Sequence, residues 1–578
     1  MTESDATREE ASDLLVIGGG FAGLWAAITA REQGVKRVTI VDKGAVGLSS
    51  QSRMSAGATI CLFPEDDRDL WLRHIAEAND FLSHQGCVAA MLDASYWRYC
   101  RLRSWGVRYE RLPWALSDRG SRLRSRGLGP VLMMVNPSWG GCTGGGAVVR
   151  ALLERATRLA VRRVHKVMVT DLIVQDGRVA GAVGFDRLTG RGRVFAANAV
   201  VLAAADCSFR GGYACVAQAT GDAFRMAYSA GARLANMEFL VINTGSPHFG
   251  FEGTGIAARW GGKFVDENGR AVASGRDEVR YVARDMVRAR ERGARAIFFD
   301  MSRPPAKWIL RGVLGARMGG WMPLHVRRLA AVGTDLFAAP QPWLPVIQTL
   351  RGGVWTDAGG RSDVDGLFAA GLSRALDPGL FNGWSSLYAM WSGEVAGRAA
   401  AGFLGSSPEG TAVPSETHRA ARDGLAASRR FLQPRPNPVA FTADEAVHQL
   451  QRALFPHDVC LAKTGPRLRA ALARVESIDR SAALNLWAAT PHELAKCHEA
   501  INMLLTARLF LSASLVREET RCDHWRLDYP ARNDQRWLRW ILLSRGAGDC
   551  PVVSTEPVPV HLFSHRPDAV ESSVDRTH

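Results

Sequence analysis

The 578-residue chain has ten cysteines, at 61, 87, 100, 142, 207, 215, 460, 497, 522 and 550, and no two form a C-x-x-C pair. That spacing argues against a zinc ribbon or a cysteine-ligated iron–sulfur cluster on this chain, so the cysteines read as reduced structural thiols and no metal site is expected. No uninterrupted apolar run reaches the roughly 18 residues needed to cross a bilayer, so no membrane span is expected. The opening MTESDATREEASD has neither the basic n-region nor the apolar h-region of a signal peptide, which makes a cytoplasmic location the expectation. Internal repeats and long low-complexity tracts are also missing. Acidic residues are in deficit, 57 against 72 basic ones, for a net charge of +15. Eight arginines fall within 101–126 and six within 280–295. Neither cluster carries a nucleic-acid module, so nucleic acid is not an expected partner. A solvated basic surface, or one that steers an acidic partner protein, remains.

What is present is ordinary in bulk, with 47% apolar and 22% charged residues, enough for a large core divided among two to four domains. The informative stretch is DLLVIGGGFAGLWAAITAREQGVKRVTIVD (13–42). An apolar strand, Leu14–Ile17, runs into Gly18-x-Gly20-x-x-Gly23, a helix follows, and a second strand, Val38–Val41, ends in Asp42. Gly18 permits the tight turn, Gly20 lets a pyrophosphate approach the backbone, and Gly23 lets helix and strand pack closely. The helix N-terminus offers N–H groups to phosphates. Asp42, 19 residues after Gly23, stands where an acid accepts from ribose hydroxyls. Strand, helix, second strand and acid together read as a dinucleotide site.

Farther along, 45–160 reads as mostly helical. Residues 167–205 alternate as a meander with a turn at Asp176-Gly177, followed by a returning strand. An Arg- and Trp-rich stretch over 240–345 breaks the strand–helix grammar, which resumes over 351–403. A Gly/Pro/Ser linker (405–416), helical periodicity and an irregular tail complete the chain. The expected organisation is a disordered N-terminus (1–12), a first nucleotide-binding part (13–240), an inserted domain (241–345), a second nucleotide-binding part (346–404), a helical domain (417–545) and a tail (546–578).

Three blocks narrow the reading: ATGDAFRMAYSAGARLANMEF (219–239), GGVWTDAGGRSDVDGLFAAG (352–371) and REETRCDHWRLDYPARNDQRW (517–537). Together they resemble the flavoprotein subunits of succinate dehydrogenase and fumarate reductase, a group that includes L-aspartate oxidase and the adenylylsulfate reductase α subunit. The resemblance spans about residues 12–543. It implies an α/β fold: an FAD-binding Rossmann domain of the two-dinucleotide type, an inserted α+β capping domain and a C-terminal helical domain. It also implies FAD as cofactor, with Gly18, Gly20, Gly23, Asp42, Lys43, Ser50, Gln51, Gly57, Asp222, Gly371, Ser385, Ser386 and Leu387 as its contacts. Asp222 reads as the N-cap of the helix DAFRMAYSAGA. Ser385-Ser386 opens a helix read as Leu387–Ala401, whose dipole would stabilise charge at the flavin pyrimidine edge.

The departures bear on chemistry. SSQSRMSAGA (49–58) puts Gln51 where the family tethers FAD through a histidine, so non-covalent FAD is expected. Three substrate motifs change as well: MEFLVINTG has Asn243 and QTLRGG has Gln348 in place of histidines, and LFNGWSSL has Phe381 in place of a carboxylate-clamping arginine. Losing a bidentate arginine and two imidazoles removes most of the charge that would hold a succinate-like dianion. Phe381, Trp384 and Trp391 either line an aromatic pocket or pack an interface. Arg276, in GRDEVRYVARDM, is the candidate for proton transfer, or else a surface ion-pair residue beside Asp277 and Glu278; Arg259 is what remains of its partner segment. Ala203–Asp206 replaces an ATGG motif, and Leu372 replaces a glutamate that holds a ribityl hydroxyl.

The sequence therefore reads as an FAD-dependent oxidoreductase transferring hydride to or from a small molecule that is not a C4 dicarboxylate. The alternatives are the flavin subunit of an electron-transfer complex with a ferredoxin-like iron–sulfur protein, and a degenerate scaffold. Oligomeric state is left open.

Overall fold

A computed structural model describes residues 8–55, 57–111, 131–134, 144–213, 215–247, 254, 258, 261–272, 279–303, 331, 333, 335, 337–375, 377, 383–406, 415–432 and 441–567. The central sheet has seven strands. Its parallel part runs Arg162–Val164, Val38–Val41, Arg8–Ile17, Gly192–Leu202, Leu367–Ala369. The same sheet continues antiparallel from Gly192–Leu202 into Arg178–Asp186 and Val167–Gln175, joined at Asp176-Gly177, both with positive φ, as the turn chemistry predicted.

The first strand starts at Arg8, where disorder was expected through residue 12. Arg8–Ser12 pairs with Arg193–Ala197. The charges are held inside the sheet: Glu10 is buried and bonded by Arg193, with Arg162 at 3.1 Å. Charge alone read as solvated coil; a counter-charge on the neighbouring strand reverses that reading.

Phe21–Glu32 and Trp384–Ser406 cross on one side of the sheet. Gly393 and Gly397 make the crossing close, since a Cβ there would fall 2.2 Å from the Ala22 carbonyl oxygen and 2.3 Å from that of Ala26. Between them, 45–160 is less helical than expected, because Thr59–Ile60, Tyr109–Arg111 and Val131–Met134 form a small sheet.

The 241–345 region is built on two ladders, Leu240–Gly245 against Leu344–Leu350, and Lys263–Asp266 with Ile297–Asp300 and Gln341–Pro342. C-terminally, Ala443–Leu454, Gly465–Asn485 and Pro491–Val516 pack together. The last helix begins with a capping box: Thr490 Oγ1 accepts from the Glu493 amide and Glu493 accepts from the Thr490 amide, which the spacing T-P-H-E encodes. It is the one described helix long and apolar enough to cross a membrane, and 78% of its most apolar window is buried within the fold. The tail expected to be irregular instead forms Pro551–Pro557, paired antiparallel with Arg539–Arg545.

The 517–537 motif is a buried ion network. Arg517 bonds Glu238 (2.7 Å) and Glu519 (2.9 Å), and Arg521 bonds Glu519 (2.6 Å) and Asp534 (2.6 Å). His524 Nε2 donates to the Arg517 carbonyl (3.1 Å), so its Nδ1 accepts from Lys463 Nζ (3.0 Å); the tautomer follows from the network. Burial holds His524 well below its usual pKa and pulls Lys463 down to about 7.

Candidate FAD and substrate site

The crevice lies outside the carboxyl ends of the parallel strands, where ligands bind in such sheets. Gly18 has φ +108°, and a Cβ there would fall 2.2 Å from the Ala203 carbonyl oxygen; at Gly23 it would fall 1.9 Å from that of Gly18. The tight turn and close packing expected of these glycines are therefore physical. Asp42 accepts from the Gly19 amide (2.7 Å) and the Gly44 amide (2.6 Å), which holds its carboxylate against the phosphate loop. Ser50 caps the one-turn helix Gln51–Met54, accepting from the Arg53 amide. Ser52, overlooked in the sequence, accepts from the Phe21 amide at 3.0 Å, so this segment abuts the start of the nucleotide-binding helix. Gly57 follows with positive φ. Just after the last parallel strand, the Gly371 amide donates to Ser392 Oγ (2.8 Å).

Asp222 is not an N-cap. The helix Asp222–Ser229 is capped by Gly221 with no side-chain bond, because the carboxylate is engaged elsewhere. It takes Lys43 Nζ at 2.8 Å, Thr220 Oγ1 at 2.7 Å and Asn502 Nδ2 at 2.9 Å. Lys43 also bonds Glu499 at 2.9 Å, and Glu499 bonds Arg210 at 2.6 Å. Burial alone would lower the Lys43 pKa; Asp222 and Glu499 outweigh it and hold the ammonium above its usual range. Glu499 and Asn502 sit on Pro491–Val516, so the helical region completes this side of the crevice, a role no local motif signalled.

At the opposite side, the helix opens at Trp384, three residues before the expected start. Ser385 Oγ accepts from Arg351 Nη1 (3.2 Å). Ser386 is half-buried in the same turn. Leu387 packs with Ile60, Trp71, Leu72, Trp384 and Trp391, so these tryptophans belong to a packed interface, and any cofactor contact from Leu387 would be through its backbone. Leu372 packs against the same cluster. Asn243 and Gln348 do come together: Asn243 Nδ2 donates to Gln348 Oε1 at 2.8 Å. Arg259, Arg276 and Phe381 lie outside the described residues.

Arg351 was missed, though QTLRGG in place of a motif with methionine was its signal. It is fully buried, donates to the Asp377 carbonyl (3.1 Å) and has Asp377, Asp523 and Asp206 as counter-charges. Burial raises both Asp206 and Asp377 to about 6 despite that cation.

Residues 13–383 match the family model described as "FAD binding domain", and 448–571 match "Fumarate reductase flavoprotein C-term". The chain belongs to the fumarate reductase and succinate dehydrogenase flavoprotein family. It is 26% identical over 566 residues to a subunit of the CoM/CoB fumarate reductase of Methanothermobacter marburgensis, covering 92% of this chain and 97% of that one. It is 28% identical over 588 residues to an L-aspartate oxidase of Streptomyces coelicolor, covering 95% and 94%. Quinol fumarate reductase of E. coli shares the fold, with a TM-score of 0.82, 20% identity and coverage of 97% and 99%. This family member is an FAD-dependent oxidoreductase. Its described residues fit the cofactor: Gly20, part-exposed, caps the Phe21–Glu32 helix with no side-chain bond, which leaves bare backbone at the helix N-terminus for a pyrophosphate.

Proposed function

We propose that this flavoprotein binds FAD non-covalently and desaturates a substrate, or reduces a double bond in one, that is not a C4 dicarboxylate. The observation that carries the reading is the Asn243–Gln348 pair. Two neutral amides hydrogen-bond each other at 2.8 Å at the positions where the family resemblance places substrate histidines. An amide donates hydrogen bonds but cannot become cationic, so it orients a carbonyl without neutralising a dianion. The nearby cation does not make up the difference. Arg351 faces three carboxylates, and a second or third negative charge from substrate would add to that surplus. When bound, FAD supplies hydride acceptance or donation. The chain's part is to seat the phosphates at the Phe21–Glu32 N-terminus, anchor Ser385 and orient the substrate through neutral donors. Arg276 is the proposed proton carrier.

Acid precipitation followed by a visible spectrum tests the cofactor state: flavin is expected in the supernatant, and flavin retained on the polypeptide would sink the non-covalent reading. A reduced-dye assay tests the substrate. Fumarate should turn over at or near background, while larger, less anionic enones and enoyl esters should contain a substrate; robust fumarate reduction would end the proposal. Arg276→Gln should abolish turnover of any substrate found while leaving the flavin spectrum unchanged.

A second reading makes the chain the flavin-carrying member of a complex with an iron–sulfur partner. It is supported by the matched methanogen relative, which is itself one component of a larger enzyme. Part of the Arg-rich segment is already engaged, since Arg101 bonds Glu32 and stacks on Trp97 and Trp105. Activity that appears only on co-expression with a neighbouring electron carrier would favour this reading over a self-sufficient enzyme.

A further inference from the structure

Asn243 and Gln348 sit on the ladder of Leu240–Gly245 with Leu344–Leu350, where the pairing is irregular. Val241 pairs with Thr349 and Ile242 with Ile347, which leaves Gln348 as the extra residue of a bulge. A bulge re-aims the side chain it carries and recurs beside active sites. This one lies at the crevice. Thr349 Oγ1 bonds Asp206, just beyond the carboxyl end of Gly192–Leu202. A Cβ on Gly211, in the segment that follows, would fall 2.4 Å from the Ile347 carbonyl oxygen.

The hydrogen bonds through the pair run one way. The Thr244 amide can only donate, so the Asn243 atom it meets at 2.7 Å is Oδ1. Asn243 Nδ2 is then the donor to Gln348 Oε1 at 2.8 Å, which leaves Gln348 Nε2 at the end of the relay. Asn243 is buried, whereas Gln348 is half-buried. Gln348 Nε2 has no hydrogen-bond partner among the described residues. The pair therefore turns its acceptors inward and offers a ligand a donor.

We propose that Gln348 Nε2 donates to the carbonyl oxygen of an α,β-unsaturated ketone, ester or amide, and that Asn243 is the positioning residue that fixes this polarity. The inference rests on the proposed function and narrows its substrates to those with an acceptor oxygen conjugated to the reacting double bond. Such an oxygen gathers negative charge as hydride adds at the β-carbon, before a proton completes the α-carbon. A donor held against it stabilises that charge.

The test titrates oxidised holoenzyme with cyclohex-2-enone, cyclohex-2-enol and fumarate, reading the flavin difference spectrum. Wild type should favour the enone. Asn243→Asp accepts from both the Thr244 amide and Gln348 Nε2, so it turns Gln348 Oε1 toward the ligand. The enone-to-alcohol affinity ratio should then fall by about tenfold or more. Gln348→Met should weaken the enone by about three- to tenfold. Adding Asn243→Asp to that variant should change the ratio no further, which a merely structural role for Asn243 would not produce. If Asn243→Asp does not fold, Gln348→Glu keeps the test: it still accepts from Asn243, presents an acceptor outward, and should weaken the enone by at least about tenfold. An unchanged ratio in the folded variants, or no enone binding to wild type, overturns this inference. Fumarate binding as tightly as the enone overturns instead the reading of the site on which it rests.

Discussion

The two flanks of the crevice treat buried charge differently. On the ribose side, Lys43, Asp222, Glu499 and Arg210 alternate in sign, each within 2.9 Å of an opposite partner. On the opposite side, Arg351 serves Asp206, Asp377 and Asp523, and burial raises two of those acids to about 6. A balanced cluster holds one protonation state and one geometry. An acid-rich one sits close to titration and gains from a hydroxyl donor or a proton. The first flank is built to hold one geometry; the second keeps two buried acids near their titration range.

The sharpest way to break this contrast is on the balanced side. Lys43→Met leaves Asp222 and Glu499 buried without their shared cation, and should destabilise the protein by about 3–5 kcal/mol; thermal unfolding of the holoprotein reads it. If the loss is under about 1 kcal/mol, that cluster is not the anchor described.

The acid-rich side should show itself through pH. An acid whose folded pKa is raised favours the folded state most when protonated, so its contribution is full below its ordinary value of 3.8 and lost as pH rises through about 6. Relative to wild type, Asp377→Asn should therefore gain stability between pH 5 and pH 7.5, by about 1 kcal/mol. Parallel urea midpoints for the two proteins would contradict it. Lys463 makes the mirror case. A base whose folded pKa is lowered to about 7 costs nothing above its ordinary 10.5 and progressively more as pH falls toward 7. Lys463→Met should narrow its deficit against wild type as pH falls from 9.5 to 7, by up to about 3 kcal/mol.

The smallest effect is the control. Arg68 and Asp93 pair at 2.5 Å, but both side chains are about half exposed. Removing that pair should shift stability by less than about 1 kcal/mol. A larger shift would mean that the pairing contrast between buried and exposed sites is overstated here.

Much of the fold was legible because local physics dictates it. The glycine fingerprint requires backbone conformations and approaches that leave little choice, and the Asp176-Gly177 turn announces its hairpin. The misreadings share one cause. Arg8–Ser12 looked like solvated coil because Arg193 and Arg162 lie far along the chain. Asp222 looked like an N-cap because Lys43 and Asn502 could not be seen beside it. Trp384 and Trp391, left open between pocket lining and interface packing, are settled as packing only by Ile60 and Trp71 against them.

The sequence by itself determined the nucleotide-binding unit, which rests on a short span whose residues act on their neighbours, and its resemblance to known flavoproteins supplied the family and the cofactor. It also marked Asn243 and Gln348 as departures. Only the tertiary structure decided that these two amides bond each other and that Arg351 is a buried cation outnumbered by acids. Charge and hydrogen bonding act through space, and the residues that settle each group's state arrive from strands and helices hundreds of positions away.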